Sequence, residues 1–452
     1  MYLKSSPAGA GAESPLNVCL MNDSFPPVID GVSNAVVNYA RIITDKLGRC
    51  AVATPEYPGA ADDYPYPVIR YPSIPTGKLA AGYRAGNPFS PAVVAKLAGM
   101  GFGLIHTHCP VTSAFLARSL REVTSVPVVF TYHTKFDIDI ARAVKSELLQ
   151  ETAIRLLVSN ITACDDVWVV SEGAGENLRS LGYQGDFTVM PNGVDLPRGR
   201  VAEAAVRELS AAWGLPEQTP VYLFVGRIMW YKGLRLILGG LAKLRAAGRD
   251  FRMVFIGDGQ DRGDVADYAR SLGLEDRCVF TGAIRDRELV RAWYCRADLL
   301  LFPSTFDTNG LVVREAAACG LGSLLVRGSC AAEGIADGRT GILIDENADA
   351  LAAALTAPGM GCEAFRRIGQ TAMDEIYISW EDSVRAAWAR YQTVLEQWQG
   401  SPRRKKTTAG SLFNMSENMV QALETAKNQY RDAVAQLNRD VDRALGYLDR
   451  YL

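Results

Sequence analysis

Short apolar runs alternate with helical patterns along most of this chain, and few architectures accommodate that alternation. LNVCLM, CAVATP, YPVIRYP, GLIHTH, VPVVFTYH and DVWVVS read as buried strands, separated by stretches such as SAFLARSLREV and EGAGENLRSLG with apolar residues at helical spacing. A second set follows, with VYLFVGR, FRMVFIGDGQ, CVFTGAI, ADLLLFPS, GSLLV and GILID as its strands. Strands alternating with helices form parallel sheets covered on both faces, so the expected class is α/β with two Rossmann-like, doubly wound domains. The 452 residues exceed one ordinary core, in agreement. Residues 16–196 are assigned to the first domain and 197–376 to the second, with LPRGRVAEAAVRELSAAWGLPEQTP between them as linker plus helix.

The flanks read differently. Residues 1–15 are rich in Ala, Gly, Ser and Pro and are expected to be a disordered lead-in. Over 377–399, SWEDSVRAAWARYQTVLEQW predicts an amphipathic helix with core-facing aromatics. Residues 400–413 form a basic linker, with four cations from Arg403 to Lys406, and 414–452 carry a three-four apolar stripe from Val420 to Leu452. Such a stripe suits self-association or docking on the body, with anionic membrane contact as the alternative. The net charge of −2 gives no reason to expect nucleic acid. Nine single cysteines without a C-x-x-C pair suggest reduced thiols, neither disulfides nor a zinc site. Without an apolar leader or a run of ~18 apolar residues, a cytoplasmic protein at most peripheral to a membrane is expected.

Chemistry concentrates after two strands of the second half. In STFDTNGLVVREAAACG a loop turns into a helix, with Asp307 and Glu315 as its two acids. Backbone N–H groups of Thr308, Asn309, Gly310 and Leu311 at a helix start can hold a diphosphate, and a carboxylate two turns on can reach a ribose diol. A loop acid and a solvated helical Glu would account for the pair alone. In GRIMWYKG, however, Arg227 and Lys232 follow another strand, and two cations there suit a pyrophosphate. In the first half, Asp30-Gly31-Val32 opens a helix toward a cleft, and the chain's three histidines, His106, His108 and His133, fall at the carboxyl ends of two strands. Glycines 257, 259 and 282 follow strands and would permit close backbone approach. No residue set has the spacing of a metal site.

The acid-seven-acid loop with its N-G-L and E-A-x-A-x-G ends, the G-R-x-x-x-x-K-G segment, and PNGVD at 191–195 resemble the retaining nucleotide-sugar glycosyltransferases of family 4, which have the GT-B fold. The resemblance covers about residues 16–398. One departure is that Asp307 stands where the family usually has Glu. The resemblance implies catalytic roles for His133, Asp307, Arg227 and Lys232, with His133 at the donor sugar. It implies donor contacts from Gly31, from the loop Thr308-Asn309-Gly310-Leu311 and from Glu315, with the base near Ala283 and Ile284. Asp30, His106, His108 and Lys135 are assigned to the acceptor side.

Family likeness further implies retention by same-face attack, the departing phosphate taking the acceptor's proton, without cofactor or metal. It also implies that the C-terminal helix crosses back onto the first domain. FPPVIDGVSNAVVNYA, YRAGNPFSP and TYHTKFDIDIARAVKSELLQ look most like bacterial enzymes that add glucose or galactose to diacylglycerol. A UDP-hexose donor, a diacylglycerol or other lipid acceptor and peripheral placement on the inner face of the cell membrane are therefore expected. Lys78, Arg84, Lys96, Lys135, Arg142 and Lys145 would form the lipid-facing surface. Two alternatives remain open: a soluble or polyprenyl-linked saccharide acceptor, and a non-catalytic sugar-nucleotide-binding scaffold assembling through its C-terminal helix.

Overall fold

The structure, a computed structural model, describes residues 15–399 except 78–81, 89 and 144, with the side chains of 139, 142 and 143 also outside the description. The lead-in before Pro15, Lys78, the Arg142 side chain, the basic linker and the 414–452 helix thus lie outside the described residues. In the first half the strands are β1 (Asn17–Met21), β2 (Arg49–Pro55), β3 (Val68–Tyr71), β4 (Ser73–Pro75), β5 (Arg84–Gly86), β6 (Leu104–Thr107), β7 (Val128–Tyr132), β8 (Asp166–Val169) and β9 (Thr188–Val189). All but β4 and β5 join one parallel sheet in the order β3-β2-β1-β6-β7-β8-β9. The second half supplies β10 (Val221–Val225), β11 (Arg252–Ile256), β12 (Cys278–Gly282), β13 (Leu299–Leu301), β14 (Ser323–Val326) and β15 (Ile342–Ile344), in the parallel order β12-β11-β10-β13-β14-β15. The two doubly wound sheets agree with the α/β expectation.

Alternation along β1 shows why both faces must be covered. Val18 and Leu20 enter one apolar cluster while Cys19 and Met21 enter another, and all four are fully buried. The first cluster is completed by the helix Trp380–Gln399, which sets Trp380, Val384, Ala387, Tyr391 and Val394 against Tyr39 and Trp168. Those positions recur at three and four, so they share one helical face, and Tyr391 stacks on Trp168 at 5.3 Å. Arg390, midway along the helix, pairs with Asp166 through two bonds of 2.8 Å.

The chain passes between the sheets at two places that touch. Val194 N–H donates to the Ile378 carbonyl at 3.0 Å, and a Cβ on Gly193 would fall 2.3 Å from the Trp380 nitrogen. Only glycine allows that approach.

One small element was not anticipated. β4 and β5 pair antiparallel beside the first sheet, and Arg84 is spent on it, donating from Nε to Ser73 Oγ at 2.7 Å and from its terminal nitrogen to the Ser73 carbonyl at 2.8 Å. Arg84 is therefore held on the hairpin by two uncharged partners and keeps its positive charge. Lys96 and Lys145 are exposed. No helix among the described residues is long and apolar enough to cross a membrane.

Candidate active site

Strand order decides which loops meet. In the second sheet the winding reverses between β10 and β13, leaving a crevice beyond their carboxyl ends. GRIMWYKG leaves β10 and STFDTNG leaves β13, so two segments some seventy residues apart face each other there. The first sheet reverses between β1 and β6, which brings the turn at Asp30-Gly31 and His108 to a second crevice, with His133 on the neighbouring β7.

Lys232 and Asp307 are bound to one another: Nζ donates to Oδ1 at 2.5 Å, while Ser304 Oγ donates to Oδ2 at 2.5 Å. The rings of Tyr231, Phe302 and Phe306 stand 5.6–5.9 Å from the same ammonium, and Lys232 is 7% exposed. The sequence assigned this lysine to a diphosphate and the acid to a sugar. Here the shorter acid holds the lysine, whose ammonium keeps two further N–H donors. Arg227 is exposed and, among the described residues, ends without an ion pair.

Between Asp307 and the helix Leu311–Ala318 the chain turns through Gly310 at φ 59°, the left-handed region, where a Cβ would lie 2.9 Å from Ala331. Among the described residues the backbone N–H groups of Asn309, Gly310 and Leu311 have no acceptor, as an anion site requires. The loop is fastened to the first domain: Thr308 Oγ1 donates to the His133 carbonyl at 2.7 Å, Asn309 Nδ2 to the Val170 carbonyl at 3.1 Å, and Ser171 Oγ to the Thr308 carbonyl at 2.5 Å. Beside it the Glu333 carboxylate accepts from the Glu172 and Gly173 N–H groups at 2.6 and 2.7 Å, seated on the N-terminus of the helix Glu172–Ser180.

Glu315 accepts from Tyr294 Oη at 2.9 Å and lies 4.0 Å from Arg287. Burial lifts its carboxyl above the ordinary carboxylate range, opposed by the Tyr294 hydroxyl and Arg287. Arg287 also donates to Asp195 at 2.6 Å, which accepts from Asn34 of the first domain at 3.1 Å. Tyr294, Arg287, Asp195, Asn34 and Glu333 went unassigned in the sequence. Arg287 and Tyr294, seven apart on one helix, were the legible signal; Glu333 left none. Ala283 and Ile284 lie in the loop after β12, and Gly282 before them faces open space at φ 77°. Gly257 and Gly259 admit the chain's own backbone instead: their Cβ atoms would meet Gly226 and Ile228 oxygens at 1.9 and 2.3 Å.

Across the cleft, Gly31 is exposed and an added Cβ would meet nothing within 4 Å. Asp30 caps the helix Gly31–Ile42, accepting from Val32 and Ser33 N–H at 2.9 and 2.7 Å, and takes the Tyr83 hydroxyl at 2.9 Å. His133 is 8% exposed, its Nε2 2.9 Å from His108 Nδ1, and burial brings its pKa down to about 4 against the pull of Asp30. Its ring is therefore neutral at pH 7. His106 is misassigned to the acceptor side: it is fully buried, with Nδ1 2.6 Å from Tyr391 Oη and Nε2 2.7 Å from Thr131 Oγ1. His108, 1% exposed, is likewise no acceptor-facing residue. Lys135 is half-exposed.

Open space at Gly31 yields a test. Gly31→Ala should leave the melting temperature within a degree or two, since helical φ is accessible to alanine, yet lower transfer about tenfold or more if substrate passes there. Full activity in a well-folded variant would remove Gly31 from the site.

Comparison with known proteins agrees with this geometry. A family model described as Glycosyltransferase Family 4 matches residues 29–198, and one described as glycosyl transferases group 1 matches 206–357. The alpha-monoglucosyldiacylglycerol synthase of Streptococcus pneumoniae is 24% identical over 68% of this chain and 70% of its own length. The sulfoquinovosyl transferase SQD2 of Arabidopsis thaliana is 28% identical over 73% of this chain and 64% of its own. The crystal structure of Anabaena HepE in complex with UDP superposes with a TM-score of 0.66 at 17% identity, covering 84% of this chain and 100% of that one. That last likeness is one of fold, and the fold is GT-B.

Proposed function

Because this chain belongs to family 4 of the glycosyltransferases, we propose that it moves a hexose from UDP-glucose or UDP-galactose to diacylglycerol or a closely related lipid, with retention of anomeric configuration. The observation carrying the reading is the convergence at one crevice of Lys232, Arg227 and the unaccepted N–H groups of the 309–311 turn, with Glu315 behind them. Arg227 and the two spare Lys232 donors take the diphosphate with the turn's N–H groups, and Glu315 takes the ribose hydroxyls. Fixed donors of this kind, already oriented in a dry cleft, stabilise the charge growing on a leaving diphosphate by up to about 3–4 kcal/mol each. A leaving group neutralised in this way needs no divalent cation. The acceptor oxygen attacks from the face the diphosphate leaves, and its proton passes to the departing phosphate, so no protein nucleophile is consumed.

A lipid acceptor is supported by the surface beside Asp30. Ile29 is 82% exposed, Ile74 on the β4–β5 hairpin 70%, and Tyr83 reaches Asp30 from that hairpin. Large apolar side chains so placed suit contact with an acyl-chain surface, and peripheral attachment on the cytoplasmic leaflet follows. The name of the Streptococcus relative points the same way.

The test is a donor-by-acceptor screen with the full chain in EDTA: UDP-glucose and UDP-galactose against diacylglycerol in mixed micelles and against free saccharides. Product mass gives the acceptor, and the anomeric proton coupling gives the stereochemistry. A hexosyl-diacylglycerol of α configuration is expected. Transfer only to saccharides would overturn the lipid assignment, activity restored only by metal would overturn the metal-free one, and absence of any transfer with UDP binding intact would favour a sugar-nucleotide-binding scaffold.

A further inference from the structure

Why His108 is buried with one ring nitrogen bonded to His133 and the other to nothing is not explained by the chemistry above. Its Nδ1 lies 2.9 Å from His133 Nε2, while its Nε2 is buried without a hydrogen-bond partner among the described residues. Two neutral imidazoles so joined share one proton, and two arrangements exist. If His133 Nε2–H donates, His108 Nδ1 accepts, and its proton sits on Nε2 as a buried, orphaned donor. If His108 Nδ1–H donates, the orphan is only a bare lone pair, and His133 carries its own proton on Nδ1. Buried N–H groups left without an acceptor are rarer in folded proteins than buried acceptors left without a donor, which favours the second arrangement. The charged alternative is closed: burial and the neighbouring rings hold His108 well below the usual histidine range.

We propose that His108 is a positioning residue that fixes His133 as its Nδ1–H tautomer, so that the ring nitrogen turned away from His108 meets the cleft as a hydrogen-bond donor. Asn192 Nδ2 stands 3.5 Å from that nitrogen, at the outer limit of a hydrogen bond. Its amide must turn so that Oδ1 faces the Nδ1–H, a contact long enough for a substrate hydroxyl to replace, and the two amide orientations differ only by exchange of O and N. The surroundings allow little else, because His106, tilted against His108 with ring centroids 4.0 Å apart, is saturated by Tyr391 and Thr131, and Tyr39 packs edge-on at 5.4 Å. What His133 does with the proton rests on the proposed function: an N–H donor there holds a hydroxyl oxygen of the donor hexose and cannot serve as a base toward it.

Three histidines make this directly observable. Full-length protein labelled with 15N-histidine, with His106→Gln and His108→Asn for assignment, gives ring-nitrogen shifts that separate bare from protonated sites. Nδ1 of His133 should be protonated and Nε2 bare. His108→Asn places an amide N–H near the old Nδ1 and should keep both that pattern and turnover within about threefold, whereas His108→Leu should mix the tautomers and lower kcat about tenfold with donor KM little changed. A native spectrum with the His133 proton on Nε2 overturns the proposal, and so does an unmixed pattern in folded His108→Leu. The expected tautomers with unchanged turnover in His108→Leu would instead overturn the reading of His133 as a donor-sugar contact. Should the leucine variant fail to fold, the native spectrum and His108→Asn decide.

Discussion

Lys232→Ala is expected to lower kcat about a hundredfold or more, with UDP affinity falling far less. The ammonium is held by Asp307 and ringed by three aromatics before any substrate arrives, so it meets the diphosphate without reorganising. That preorganisation counts most when charge develops on the leaving group, hence the larger effect on kcat. Removing the lysine also leaves Asp307, among the described residues, with only the Ser304 hydroxyl, so stability should fall by about 1–3 kcal/mol. Lys232→Met, with length but no charge, should match alanine in rate. Single-turnover kinetics beside calorimetry with UDP separates the two terms, and near-native transfer in both variants would remove Lys232 from the diphosphate.

Gly310→Ala should be as damaging by a different route. At φ 59° an alanine costs about 1–2 kcal/mol in backbone strain. Its methyl would also stand 2.9 Å from the Cα and Cβ of Ala331, inside contact distance. Ala331 lies in the turn leading to Glu333, so the loop must give way, misplacing the N–H groups of 309–311. A displacement of about 1 Å there is expected to cost roughly a hundredfold in transfer. Gly282→Ala is the control, since φ is also positive but the space beside it is open. It should show strain alone, as a modest loss of melting temperature. Equal effects of the two on turnover would show that the contact with Ala331 does not matter.

Much of this was readable in the chain because it is written locally. Strand runs, helix periods and the short segments around Arg227, Lys232, Asp307 and Glu315 each occupy consecutive residues, and parallel winding then dictates which loops share a crevice. What escaped the sequence depends on distant partners. His106 looked like a cleft residue because nothing nearby announces Tyr391, 285 positions away, as the group that satisfies it. The seat of Arg84 was not legible because its acceptor, Ser73, belongs to a hairpin too short to leave a pattern. Asp307 appeared merely shortened relative to the family's Glu, yet its length suits a bond to Lys232 that only the meeting of β10 and β13 makes possible. Glu333 reads as a surface acid until the helix beginning at Glu172 is set against it.

The contact of Gly193 with the Trp380 backbone bears on mechanics. Two covalent tethers between two bodies ordinarily permit shear, twist and separation, but tethers pinned side by side act as one, and rotation about that seam is the freedom left. Every other attachment across the cleft must then yield to that single rotation. Thr308 on His133, Ser171 on Thr308, Asn309 on Val170 and Glu333 on the 172–173 turn would release as a set. Three of the four grip the 308–309 loop, so on the proposed function parting the domains would also loosen the hold on spent nucleotide. On that reading the pivot would also be a release catch for product.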